Sequence, residues 1–350
     1  MSPTPTRYRP LHGALWVHRR YDSVTARLIG SPGVERGSRR EGGVPPMKVA
    51  VVGATGVVGG SAVRALVSAG HDVLALARSP QKGAMLESWG ATAVHTELFD
   101  ESGLASMFDG CDVVVNAATR IPVGFRALRS SAWRENDRLR TEGVRAVTAA
   151  ARTARVRRVV QESVSLVYAD HGDEWIDEKS PLDINGANEP VCVAESTVQE
   201  YQSDLRQGVV LRFGMVIGDD EMTRFMLRGA QRGRPIGMGS PDGWVHPLHT
   251  DDIGPAVVAA LGAPSGVYNV GAEPVRRRDL MQGYADAVGR SSVAFMGPLL
   301  RRMTGRRVEP ATRSLRVSSE HFRSQTGWNP RRAQFDASWL AGVGMERVGR

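Results

Sequence analysis

The sequence predicts an α/β fold, a doubly wound parallel sheet with a smaller C-terminal lobe, and three observations carry that expectation. Apolar runs of strand length alternate with stretches of helical period along most of the chain. The first run, residues 49–52, is apolar throughout, as a strand covered on both faces must be. Glycines at G-x-x-G-x-x-G spacing (Gly53, Gly56, Gly59) then join it to a helical pattern. Parallel neighbours need crossovers of about a dozen residues or more, and these spacings supply them.

After the first strand, Val58, Ala62, Val63, Leu66 and Val67 recur at helical period until Gly70. Residues 73–77 form a second short strand and 93–94 a weaker third. A helix-like stretch (103–108) precedes a fourth strand at 112–116. Leu139, Ala146, Val147, Ala150 and Ala151 place a helix within 137–154, and strands follow at 156–161 and 209–213. Beyond Gly214 the alternation loosens. Helices are expected at 222–232, 277–288 and 332–340, with a Gly/Pro-rich loop at 233–243 and a strand at 267–270. The implied domains are 47–215, with 245–272 returning to it, and a substrate lobe from 216–244 and 273–345.

Residues 1–46 read as a disordered or spurious extension, rich in Pro, Gly and Arg and without an apolar signal region. They hold eight arginines against Asp22, Glu35 and Glu41, so they carry +5 of the net +8. We hypothesise that Met47 is the natural start, because Glu41-Gly42-Gly43 can be encoded by GAAGGAGG, a purine run like a ribosome-binding site. Codons without that run, together with the upstream N-terminus on cell-derived protein, would refute it.

The remaining charge does not suggest nucleic acid. Arg301, Arg302, Arg306 and Arg307 make a basic face without interleaved aromatics, which reads as solvated surface. No apolar segment reaches membrane-span length. Cys111 and Cys192 form no CxxC pair, so a reduced, cytoplasmic setting is expected and no metal site.

Each glycine of the loop has a physical task. Gly53 permits the tight turn, Gly56 lets backbone amides approach a diphosphate, and Gly59 lets the helix pack on the strand. The helix N-terminus, carrying about half a positive charge, faces the phosphates. A Rossmann-like dinucleotide cradle built from Gly53, Thr55, Gly56, Val57, Val58 and Gly59 is therefore expected. At the end of the second strand an acid would accept hydrogen bonds from a ribose 2′-hydroxyl, and an arginine would suit a 2′-phosphate. The chain has Arg78 there and no acid between Asp72 and Glu87, so NADP(H) is favoured over NAD(H).

With these motifs the chain resembles the extended short-chain dehydrogenase/reductase family, also called NAD-dependent epimerase/dehydratase proteins. The likeness runs from about Met47 to Arg332. Thr55-Gly56-Val-Val-Gly59 resembles the family's TGxxGxxG loop. Glu97-Leu98, with Asp100 following, resembles the acidic-plus-apolar pair that meets adenine. Asn116-Ala117-Ala118 is similar to the small-residue turn that admits the cofactor. Gln161-Glu-Ser163-Val-Ser-Leu-Val-Tyr168, Leu211-Arg-Phe-Gly214, Leu248-His249-Thr-Asp251-Asp252, Val267-Tyr-Asn-Val-Gly271 and Gly327-Trp328-Asn-Pro330 match further family signatures.

The resemblance implies a Tyr-x-x-x-Lys proton relay on the helix after the fifth strand, expected here over about 189–205. That stretch contains no lysine, and Tyr201 is followed four residues on by Leu205. Lys179 belongs to a turn. Ser163, Ser165 and Tyr168 are the replacement candidates for hydrogen bonding or proton delivery, with Glu162 and His171 behind them. His246 and Trp244 are expected to border the pocket, and Asp251 or Thr250 to cap a helix. The implied function is an NADP(H)-dependent oxidoreductase or epimerase-like enzyme acting on a small organic substrate, and a homodimer is the assembly the fold suggests. The alternatives are a non-catalytic NADP(H)- or metabolite-sensing protein and a nucleotide-sugar epimerase/dehydratase.

Overall fold

The computed structural model describes residues 45–297 and 307–344. The N-terminal extension and Arg301, Arg302 and Arg306 lie outside the described residues.

Seven parallel strands form the central sheet: β1 (Lys48–Val52), β2 (Asp72–Ala77), β3 (Thr92–His95), β4 (Val113–Asn116), β5 (Arg158–Val164), β7 (Gln207–Phe213) and β11 (Gly266–Val270); the short strands β6 (Trp175–Ile176), β8 (Met215–Ile217), β9 (Trp244–Val245) and β10 (Pro247–His249) lie outside it. Their order is β11-β7-β5-β4-β1-β2-β3, and every neighbouring pair is parallel. The chain winds outward from β1 to β3, then returns to β4 and winds the other way. The carboxyl ends of β1 and β4 therefore flank the reversal point, where a doubly wound sheet opens a crevice for ligands.

The buried character of β1 follows from its composition. Val49, Ala50 and Val51 are fully buried, and full burial of a valine contributes roughly 1.5–3 kcal/mol. One apolar layer joins this sheet to α1 (Val57–Ser68) and α8 (Thr250–Ala260). The other joins it to α3 (Glu101–Phe108), α5 (Val144–Thr153) and α6 (Glu189–Gln199). A third cluster gathers Ile217, Leu227, Ile236, Leu280, Tyr284 and Trp339 from α7 (Glu221–Gln231), α9 (Arg277–Ala287) and the flanking segments.

Three expectations are corrected. The helix within 137–154 is interrupted: α4 (Ser130–Arg138) passes through a π turn, Leu139–Gly143, into α5. That wider turn rotates Arg140 into the interior, where it is almost fully buried. The helix expected at 189–205 stops at Gln199, because the Tyr201 hydroxyl donates to the Val156 carbonyl at 2.5 Å and the chain turns back there. The helix expected at 332–340 is only a 3₁₀ turn, Ala337–Leu340. The Asp252 carboxylate accepts from the amides of Arg331 (2.7 Å) and Arg332 (3.1 Å), which holds the incoming backbone outside helical geometry.

Candidate dinucleotide and substrate site

The loop after β1 is set by close contacts that only glycine allows. Gly53 has φ +75°, and a Cβ there would lie 2.5 Å from the Ala117 carbonyl and the Ala118 amide nitrogen. A Cβ at Gly59 would lie 2.2 Å from the Gly53 carbonyl oxygen. The turn is thereby wedged between the β4 loop and α1. Gly56 differs: a Cβ there would meet nothing nearer than 3.4 Å, so glycine leaves the loop's outer side open instead of relieving a clash. Gly56 also precedes α1 as a cap without a side chain, and the first turn carries no acid. The Gly56 amide donates to Gly53 O (3.0 Å) and the Gly60 amide to Gly56 O (2.8 Å), which leaves the amides of Val57, Val58 and Gly59 without a helical carbonyl to meet. Val57 is exposed, Thr55 and Val58 half-buried. A glycine-cleared cradle with uncapped amides fits a diphosphate.

At the end of β2, where an adenosine ribose is expected, Arg78 is exposed, and Ser79 accepts from Lys82 N at 3.4 Å to cap α2 (Pro80–Ser88). Glu97 is exposed, whereas Leu98 is buried in the sheet-helix layer. Asp100 caps α3 by accepting from Ser102 N (3.2 Å) and Gly103 N (3.0 Å). Those bonds hold its carboxyl below the usual range, the Gly103 amide contributing most. After β4, Asn116 locks the turn from both ends. Its Nδ2 donates to Gln161 Oε1 (2.8 Å), and its Oδ1 accepts from Ala118 N (3.2 Å). Ala117 is buried and Ala118 half-buried.

The chemical end differs from the expectation. Ser163 is fully buried, and its Oγ donates to Glu195 Oε1 at 2.5 Å. Glu195 projects from α6 and is clamped by Arg212 of β7, Nε to Oε1 at 2.9 Å and Nη2 to Oε2 at 2.6 Å. Arg212 Nη1 donates to the Tyr168 hydroxyl (2.8 Å), which itself donates to Asn269 Oδ1 (2.8 Å). Burial pushes the Tyr168 phenol up to about 12, against the pull of Arg212. Tyr168 is fully buried with both roles of its hydroxyl engaged, so a part as an acid would require these bonds to open. The Ser163 hydroxyl proton is likewise committed to Glu195. Ser165 begins a 3₁₀ turn, Ser165–Val167, and its carbonyl accepts from Tyr168 N at 3.3 Å.

A second buried ion pair lies beside the first. Arg140 Nη2 stands 3.0 Å from both carboxylate oxygens of Glu162 and donates to Oε1. Arg140 Nη1 and Glu162 Oε2 have no hydrogen-bond partner. Burial raises the Glu162 carboxyl, Arg140 opposes this, and the Glu195 charge adds to it.

Histidines take structural places. His246 is buried between Gly214 and Gly271, where a Cβ on Gly271 would sit 2.1 Å from its Nε2. Its Nε2 meets Ser319 Oγ at 3.1 Å, and burial pushes it down to about 3. The cap of α8 is His249, whose Nδ1 accepts from Asp251 N at 3.1 Å, not Asp251 or Thr250. His171 Nδ1 lies 3.2 Å from the Ala169 carbonyl oxygen, and Trp244 Nε1 donates to Asp173 at 2.8 Å.

Glu195, Arg212 and Arg140 were missed from sequence, although two left a trace. Val191, Ala194, Glu195 and Val198 are the buried face of α6, so Glu195 interrupts an apolar stripe at helical spacing. Arg212 interrupts the apolar run of β7 in the same way. Among the described residues no helix is long and apolar enough to cross a membrane, and no cluster of three metal-ligating side chains exists.

Comparisons with known proteins agree with this geometry. Residues 53–221 match a family described as NAD(P)H-binding. A 3-diazoavenalumate denitrifying reductase from a Streptomyces species is 29% identical over 322 residues, covering 86% of this chain and 100% of the relative. A ketoreductase from Stigmatella aurantiaca, acting on a farnesyl dihydroquinoline oxide, is 34% identical over 137 residues, 39% of either chain. Among solved structures, a human epimerase family protein with NADPH superposes with a TM-score of 0.70 at 22% identity, over 85% of this chain and 99% of that one. MoeE5 in complex with UDP-glucose and NAD gives 0.68 at 22% identity, over 85% and 97%. The NAD(P)H-binding match over residues 53–221 and the strand order together show a Rossmann-like NAD(P)H-binding fold, the one expected from the resemblance to the extended short-chain dehydrogenase/reductase family.

Proposed function

We propose that this protein is an NADP(H)-dependent reductase that delivers hydride to a small organic electrophile without a Tyr–Lys relay. The observation that carries the reading is the Glu195–Arg212 pair. α6 has the sequence EPVCVAESTVQ, with neither tyrosine nor lysine, and its inward carboxylate is closed off by Arg212 and Ser163. A lysine in that helix would lower a tyrosine's pKa; a carboxylate there cannot. The uncapped α1 and the wedged glycines would hold the diphosphate, and exposed Arg78 would meet a 2′-phosphate. NADPH, when bound, supplies the hydride. The segments 216–244 and 273–345 are read as the lobe that chooses the substrate.

Such a site suits an acceptor that is already activated and needs no acid from the protein. The denitrifying reductase that aligns over its whole length supports this choice. Hydride addition to an arenediazonium ion forms one C–H bond, breaks one C–N bond and releases dinitrogen, consuming no proton. The test supplies purified protein with NADPH deuterated at C4 and panels of diazonium, enone and ketone substrates. Deuterium should enter the diazonium or enone product in preference to the ketone. Tight NADPH binding with no deuterium in any product would instead select the sensor reading.

A further inference from the structure

Five of the nine large apolar side chains left in water among the described residues lie in two segments at one edge of the sheet. Ile121, Phe125 and Leu128 belong to the loop after β4, and Leu166 and Ile184 to the segment after β5. Both segments leave the carboxyl ends of paired parallel strands, the edge that also carries the glycine loop. They are tied into one rim. Asn188 Nδ2 donates to the carbonyls of Leu166 (3.5 Å) and Asp183 (2.9 Å), joining the two ends of the β5 segment. Arg307 donates to Asp137 of α4 (2.7 and 3.2 Å) and to the Ala187 carbonyl (3.5 Å), and Trp133 Nε1 donates to the Ala127 carbonyl at 2.9 Å.

Phe125 is the most exposed of the rim's apolar side chains, at 66%, yet its position is fixed. Its ring meets Phe225 of α7 edge-on, centroids 6.0 Å apart and planes at 89°. Gly124, with φ +66°, permits this seat: a Cβ there would lie 2.7 Å from the Phe225 ring. A seated but uncovered aromatic ring offers a ready contact for a flat ligand.

The charges beside it are uneven. Arg120, Arg138, Arg224 and Arg307 pair with Glu135, Glu142, Asp219 and Asp137. Arg126, Arg129 and Arg234 are exposed and have no ion-pair partner among the described residues. The Arg234 guanidinium carbon stands 5.9 Å from the Phe125 ring centroid, next to the apolar surface.

We propose that this rim, together with Arg234 of the lobe, selects a flat, apolar organic acid, its ring system lying on Ile121, Phe125 and Leu166 and its carboxylate meeting Arg126 and Arg234. The inference rests on the reductase reading of the same site and gives it a substrate class, one without a nucleotide. The test titrates the full chain by calorimetry, with and without NADPH, using 2-naphthoate, 2-naphthamide and UDP-glucose as probes. Naphthoate should bind best, and Phe125→Ser should weaken it about tenfold. The double variant Arg126→Gln, Arg234→Gln should abolish the preference for naphthoate over naphthamide. All of these side chains are exposed, so the melting temperature should stay at the wild-type value. Equal binding of acid and amide, tighter binding of UDP-glucose, or an unchanged Phe125→Ser variant overturns the proposal. NADPH affinity measured on the same samples separates the two readings: its absence sinks the reductase, whereas its persistence beside indifferent rim variants sinks only the rim.

Discussion

Ser163 Oγ lies 2.5 Å from Glu195 Oε1, with both side chains buried. The contact joins the end of the fifth strand in sequence to the middle of the helix that follows it. Beyond Glu195 the chain of bonds passes through Arg212 and Tyr168 to Asn269 on the edge strand β11. A closed ionic network thus runs from α6 across three neighbouring strands.

Removing one partner of that network should be costly. Glu195→Ala leaves the Arg212 guanidinium buried without its counter-charge, which costs about 3–5 kcal/mol. Replacing both, Glu195→Leu with Arg212→Met, should recover most of that stability. Urea unfolding of the single and double variants measures it; a single variant within about 1 kcal/mol of wild type would mean that the pair is not closed in solution.

Tyr168→Phe separates structure from chemistry. It removes the hydroxyl shared by Arg212 and Asn269 and should cost about 1–3 kcal/mol of stability. Turnover per folded molecule should be retained, and the pH profile of kcat should not change. An acid role for this phenol would show instead as loss of kcat with stability intact.

Sequence legibility divides along a physical line. The glycine loop could be read because its demands are local: a left-handed turn at Gly53 and a contact at Gly59 exclude any Cβ within a few residues. The parallel, doubly wound character of the sheet followed from spacing and the rule of parallel crossovers. The ionic network could not be read this way, since Glu195, Arg212 and Asn269 are far apart in the chain and meet only when the sheet closes. Arg140 was harder still, because its inward direction depends on a π turn that shifts helical phase.

Coenzyme choice is testable at one residue. Arg78 is exposed and follows β2 without a neighbouring acid. Arg78→Ala should weaken NADPH about tenfold or more, on the order of 1.5–3 kcal/mol for a hydrogen bond to a charged group, and leave NADH nearly unchanged. Fluorescence titration with both coenzymes decides it. Equal weakening of the two would remove the 2′-phosphate from the argument.

His246 sets an acid limit on the fold. Burial holds its folded pKa at about 3, below the ordinary 6.5, so the imidazole is neutral inside the protein. The unfolded chain binds a proton there as pH falls below 6.5, and the folded chain does not until about 3. Stability from this group is thus fully present above 6.5 and is lost as pH falls towards 3, with a slope of about 1.4 kcal/mol per pH unit. His246→Gln keeps a polar group able to meet Ser319 and cannot titrate, so its stability should fall less steeply between pH 6 and pH 4. Denaturant midpoints at several pH values for both proteins supply the comparison, and parallel pH curves would show that this imidazole does not couple folding to protonation.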